Sequence, residues 1–151
     1  VHVTDFYPTL AEIGGGPVPE GHVVDGLSLL PILTAERESL DREYLYWYMP
    51  LYDPQWGAVP AAVIRKGNFK LIEFFGDYID LDQGGKYIPE GRVELYDLET
   101  DIGETLDLSA DRPDLTREMQ DRLHAWIREM GEEVPGLNLD YDPDDPLGRD
   151  K

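Results

Sequence analysis

The densest grouping of chemically capable side chains is Trp47-Tyr48-Met49-Pro50-Leu51-Tyr52-Asp53-Pro54-Gln55-Trp56, an aromatic loop punctuated by prolines. Aromatic faces pack against sugar rings and aryl groups while their polar tips fix orientation, so Tyr48, Tyr52 and Trp56 are the candidate substrate-binding residues. Trp47 and Tyr52 would equally well fill a seam between two packed units, and the residues alone leave both readings open. Arg65 and Lys70 carry the right charge to meet an anionic group, although cations on one hairpin ordinarily lie on a sheet surface. Two acidic groupings invite a hard cation. Asp140-Tyr141-Asp142-Pro143-Asp144 opens like a calcium loop, but its sixth position is Asp145 in place of Gly and its twelfth is Lys151 in place of Glu. Asp77, Asp80 and Asp82 are also close in sequence, yet Gly84-Gly85 and Pro89 point more simply to an inserted surface loop. His22 stands among Gly and Val as a loop histidine, and His124 sits beside a helical apolar stripe as a partly buried structural one. The sequence contains 0 Cys, which removes thiolate metal sites and a disulfide framework. No catalytic residue and no metal ligand is assigned from these groups.

The elements that must position the aromatic loop follow from periodicity. Phe6, Leu10 and Ile13 recur at helical spacing behind Thr4 or Asp5, either of which suits an N-cap, and Gly14-Gly15-Gly16-Pro17 stops the run. An apolar turn at Leu27–Leu33 is interrupted by Pro31. From Tyr44 the pattern turns extended. Tyr44-Leu45-Tyr46-Trp47-Tyr48 predicts a strand, and Ala61–Arg65 and Phe69–Phe75 predict two more joined at the tight turn Lys66-Gly67-Asn68. In Arg92–Asp97 the period of two places Val93, Leu95 and Asp97 on one face. Leu115, Met119, Leu123, Trp126, Ile127 and Met130 predict a helix ended by Gly131, with Asp111, Pro113 and Asp114 in its first turn. Glu118, Asp121 and Arg122 read as its exposed face. The expected fold class is α+β, a small antiparallel sheet of about four strands packed against a C-terminal helix.

Composition bounds the function. At 151 residues and 41% hydrophobic content, the chain is long enough to bury roughly 68–70% of its unfolded surface without staples. No run approaches the ~20 apolar residues of a membrane span, and no signal segment opens the chain, so localisation is not legible. Against 32 Asp and Glu stand 13 Lys and Arg, a formal charge of −19 that repels phosphate backbones and anionic lipid surfaces. The composition therefore argues against nucleic acid and membrane as partners. It fits a solvated, salt-adapted surface.

Four ordered segments resemble one family. Asp5-Phe6-Tyr7-Pro8-Thr9-Leu10, Asp25-Gly26-Leu27-Ser28-Leu29-Leu30-Pro31, Ile64-Arg65-Lys66-Gly67-Asn68-Phe69-Lys70-Leu71-Ile72 and Glu94-Leu95-Tyr96-Asp97-Leu98-Glu99-Thr100-Asp101-Ile102-Gly103-Glu104-Thr105 resemble, in that order, the C-terminal part of the type I, formylglycine-dependent sulfatases of the alkaline phosphatase superfamily. The resemblance implies that residues 1–40 close the catalytic domain and lead out of it, that residues 41–135 form the C-terminal subdomain, and that residues 136–151 are an acidic tail. It also implies calcium and formylglycine in the intact enzyme, acting on a sulfated small molecule or carbohydrate. Their ligands and nucleophile would lie before Val1. None of Ser28, Ser39 and Ser109 begins a Ser-x-Pro-x-Arg stretch. The expected role of this region is structural support and part of the substrate-pocket rim, inactive alone, with the missing catalytic domain as its partner and self-association through an exposed seam that includes Phe6, Leu10, Trp47 and Trp56. A departure lies in the aromatic loop, where Tyr48 and Leu51 stand in place of the histidines of a Trp-His-x-Pro-His-Tyr pattern, so the family's substrate preference does not transfer. A phosphonate or phosphodiester hydrolase of the same superfamily, or a non-enzymatic binding module, are the alternatives.

Overall fold

The computed structural model describes residues 1–16, 18–51, 58–76, 78–80, 86–88 and 90–136, with the backbone alone for 78–80, 86 and 87. The chain divides into two compact units, Val1–Glu43 and Tyr44–Lys151. Tyr52 and Trp56, the candidate calcium loop, the side chains of Asp77, Asp80 and Asp82, and the acidic tail beyond Gly136 fall outside the described residues.

In the first unit, a 3-10 turn at Val3–Asp5 leads directly into α1, Phe6–Ile13. Thr4 and Asp5 do not cap α1 through their side chains. His2 is the N-cap of the 3-10 turn, and the Asp5 carboxylate accepts the His2 N–H at 2.6 Å in a capping box. Asp5 is fully buried and also accepts the Leu27 N–H at 3.0 Å and hydrogen bonds from Nη1 and Nη2 of Arg42. Thr9 completes the node by accepting the Leu29 N–H at 2.8 Å. Two of the family-like segments thus meet through one carboxylate and one hydroxyl. Pro31 does not interrupt a helix; it lies in the first turn of α2, Leu30–Leu33, where its missing N–H costs nothing. Gly26 lets the backbones meet, since a Cβ there would lie 2.0 Å from the Thr4 carbonyl oxygen. The outer face of α1 leaves Phe6, Leu10 and Ile13 more than half exposed.

The second unit holds the expected antiparallel sheet, in the order β1-β2-β3-β6, built from β1 Tyr44–Met49, β2 Ala61–Lys66, β3 Phe69–Phe74 and β6 Arg92–Asp97. Gly67 takes the positive φ of +57° that the β2–β3 turn needs. The stretch taken as a plain surface loop contains a two-stranded ribbon, β4 Tyr78–Asp80 with β5 Lys86–Ile88. Helix α3, Pro113–Glu129, lays Met119, Leu123 and Ile127 fully buried on one sheet face. Three cross-strand rows line that face: Tyr44, Lys66, Phe69 and Asp97; Tyr46, Ile64, Leu71 and Leu95; Tyr48, Ala62, Glu73 and Val93. The expected pairing of Val93, Leu95 and Asp97 on one face holds. Tyr46 stacks on Trp126 with ring centroids 4.5 Å apart.

The segment after β6 explains its own acidic composition. Asp101 accepts the N–H groups of Thr105 and Leu106, each at 2.8 Å, and holds the turn, which keeps its carboxyl below the usual range. Burial alone would raise Asp107, but the N–H groups of Ser109 and Leu95 and the Arg92 guanidinium bring it down instead. Asp107 and Leu108 cover the outer edge of β6 by bonding the Leu95 N–H and carbonyl, which blunts an otherwise open strand. These pairs and those of Arg42, Lys66, Lys70 and Arg122 engage much of the basic inventory, while acids outnumber bases 32 to 13. Screening should therefore stabilise the fold. We expect Tm to rise by about 3 °C or more from low to molar potassium chloride; a flat or falling Tm in a thermal melt would contradict a self-repelling surface.

Candidate site at the Tyr48–Glu73 row

The third row carries a buried charge, unlike the first, whose Lys66 and Asp97 are only half-buried. Along β3, Leu71 and Phe75 point toward α3, and Glu73 occupies the position between them with 7% of its surface exposed. A carboxylate in a core-facing row costs several kcal/mol unless it is paired. Here it is paired twice. Gln120 Nε2 donates to one oxygen at 2.8 Å, and His124 Nε2 lies 2.6 Å from the other. Gln120 and His124 are one helical turn apart on α3, so the helix presents both to the same strand residue. Ala62 is the small neighbour that leaves room for them in the row.

Above this row opens a cleft of about 430 Å³ lined by Glu73, Phe75, Gln120 and His124, by the Glu90–Val93 turn into β6, and by Val134–Gly136. Gly91 makes the turn, with φ +79° and a Cβ position only 1.9 Å from the Phe74 carbonyl oxygen. Tyr48 stands at the far end of the row. Its ring meets the edge of Phe75 at 6.4 Å and its hydroxyl donates to the Glu133 carbonyl at 3.3 Å. Burial, and next the Glu132 carboxylate, raise the Tyr48 phenol above its ordinary value, so it stays a neutral donor in ordinary buffers.

The remaining sequence candidates separate from this row. Trp47 lies on the opposite sheet face, 39% exposed. Lys70 is engaged by both Glu104 oxygens at 2.7 and 2.8 Å, and Arg65 donates to the Gly67 carbonyl. His22 sits in an exposed loop, edge-on to Tyr7. Glu118 pairs with Lys66, but Arg122, which pairs with Glu129, does not belong to an exposed face: it is half-buried, with its guanidinium over the Tyr44 and Tyr46 rings. Sequence reasoning reached His124 and passed over Glu73 and Gln120. The available signal was parity: in Leu71-Ile72-Glu73-Phe74-Phe75 the acid shares its face with two core residues. Among the described residues no group of three or more His, Asp or Glu could hold a metal ion. Those residues do not fit a calcium site, and with 0 Cys and no Ser-x-Pro-x-Arg stretch the chain offers no formylglycine precursor.

No family model matches the chain. A protein named sulfatase from Formosa agariphila is 35% identical over 137 residues, covering 84% of this chain and 23% of that protein. A structure solved in complex with its substrate D-glucosamine-2-N,6-O-disulfate is 26% identical and superposes with a TM-score of 0.59 over 84% of this chain and 24% of its own length. A 2-O GAG sulfatase structure shares the fold over 95% of this chain and 28% of its own, at 23% identity and a TM-score of 0.66. The chain spans about a quarter of the length of these proteins.

Proposed function

The chain belongs to the sulfatase family, matching the C-terminal region of its relatives, and from that premise we propose that it serves as the C-terminal subdomain of a sulfate-ester hydrolase, supporting the catalytic domain and forming part of the substrate-pocket rim. The observation that carries this reading is the match at 35% identity over 137 residues. Tyr48, Tyr52 and Trp56 would supply the rim contacts. For Tyr48, support comes from a neutral hydroxyl anchored at one end of the row and an aromatic ring braced by Phe75, a rigid amphipathic surface of the kind that packs on a ring. A sulfated carbohydrate is the substrate class we favour, by analogy with the disulfated glucosamine bound by one structural neighbour. The family's calcium and formylglycine would come from elsewhere in the protein, supplying charge stabilisation and the nucleophile.

The test uses the full-length polypeptide and the 151-residue chain side by side. The full-length protein should hydrolyse an aryl sulfate, and the 151-residue chain should not. In the full-length protein, Tyr48→Ala should raise KM for a sulfated saccharide about 3- to 10-fold with kcat nearly unchanged, the pattern of lost uniform binding. Faster turnover of a phosphonate monoester than of any sulfate ester would replace this reading with the phosphonate hydrolase. Absence of any hydrolysis by the full-length protein would favour a binding module.

A further inference from the structure

We infer that the cleft over Glu73 is a ligand site in its own right, fitted to a small ring-bodied organic cation such as an aminohexose. Three observations carry this. First, Glu73 spends a core-facing position on a carboxylate where Leu71 and Phe75 on either side are apolar and buried, and positions that break the local packing rule concentrate at functional sites. Secondly, the space above it is real: about 430 Å³, within the range of roughly 300–1,000 Å³ that holds small ligands. Thirdly, the polar atoms left over after the internal pairs are made are mostly acceptors. With Gln120 Nε2 directed at Glu73, the amide keeps Oε1 as an acceptor, and the exposed Glu90 adds a carboxylate.

The charge balance selects the ligand's sign. Among the described lining residues Arg92 is the one guanidinium, and it already faces Glu94 at 3.2 Å and Asp107 at 3.1 Å. An anion would find no uncommitted guanidinium there and would meet Glu90. A ligand carrying an ammonium and hydroxyl donors matches the acceptors, while Phe75, Val93, Val134 and Pro135 supply apolar wall for the C–H faces of a ring. Sulfate groups would be repelled, so this site is chemically distinct from one that receives a sulfate ester, and nothing in it requires the sulfatase reading to hold.

The probes are D-glucosamine, its neutral counterpart D-glucose, and glucosamine 6-sulfate, titrated into the 151-residue chain at low salt and followed by amide NMR. Glucosamine should produce saturable shifts at Gly91, Gln120, His124 and Gly136, with glucose and the 6-sulfate each at least fivefold weaker. Glu90→Gln, at an exposed turn, should weaken glucosamine at least threefold without disturbing the fold. Glu73→Gln should weaken it further if the variant keeps the amide spectrum of the parent; if that variant unfolds, the Glu90→Gln result decides. Equal binding of glucose, preferred binding of the sulfated sugar, shifts elsewhere in the chain, no saturable shifts, or an unchanged affinity in Glu90→Gln would each overturn the site.

Discussion

Replacing Arg42 by Ala should unfold the Val1–Glu43 unit. Asp5 is fully buried, and its carboxylate is held by Nη1 and Nη2 of Arg42 together with the His2 and Leu27 N–H groups. Removing one partner of a buried ion pair strands a charge, at a cost of ~3–5 kcal/mol, and this unit has only short helices and a small apolar interior to absorb the loss. Hydrogen exchange is the direct readout: amides of Leu29 and Thr34 should lose protection by about two to three orders of magnitude at ~1.4 kcal/mol per factor of ten, with the amides of Leu71 and Leu95 as an internal reference. Full protection in Arg42→Ala would show that the pair is dispensable. The pH dependence has a fixed sign. The Arg42 hydrogen bonds are the main cause that depresses the Asp5 carboxyl well below the ordinary carboxylate range, against the burial that would raise it. A depressed folded-state value means that its contribution is complete above the unfolded value of about 4 and is lost as pH falls below it. In Arg42→Ala the main cause of that depression is gone while burial remains, so the share of stability that Asp5 loses on acidification should be smaller than in the parent.

Gly91→Ala should be the most damaging single-methyl addition in the second unit, with Gly131→Ala as its measure. Both glycines have positive φ, +79° and +83°, so each substitution incurs the left-handed backbone cost of about 1–3 kcal/mol. They differ in surroundings. A Cβ at Gly131 meets nothing within 4 Å, whereas one at Gly91 lies 1.9 Å from the Phe74 carbonyl oxygen and 2.8 Å from the Gly76 nitrogen. Both obstacles are backbone, so relief requires moving the end of β3 or the entry to β6. Denaturant unfolding should show Gly131→Ala losing about 1 kcal/mol and Gly91→Ala losing at least ~2 kcal/mol more, among the larger effects of point changes. The same shift would displace Phe75 and Glu73 from the cleft. Equal destabilisation of the two variants would show that the turn yields freely.

The local elements were legible because periodicity and punctuation are properties of neighbouring residues. The 3.6-residue recurrence of Leu115, Met119, Leu123 and Ile127 defines α3, Gly131 ends it, and the alternation of Val93 and Leu95 fixes which face of β6 meets it. The family was legible too, since the resemblance carried by four ordered segments agrees with a sulfatase relative at 35% identity over 137 residues. What tertiary structure alone decided was the partner of each polar group. Asp5 has a cap's sequence context and becomes a buried anchor because Arg42, 37 residues away, closes on it. Glu73 looked like one more strand acid until the fold brought Gln120 and His124, 47 and 51 residues on, to its two oxygens. Gly91 gave no sign of being irreplaceable, because its constraint is the carbonyl of Phe74 on the neighbouring strand. Hydrophobic pattern is written along the chain, whereas the pairing that makes a buried charge tolerable depends on contacts between residues far apart in it.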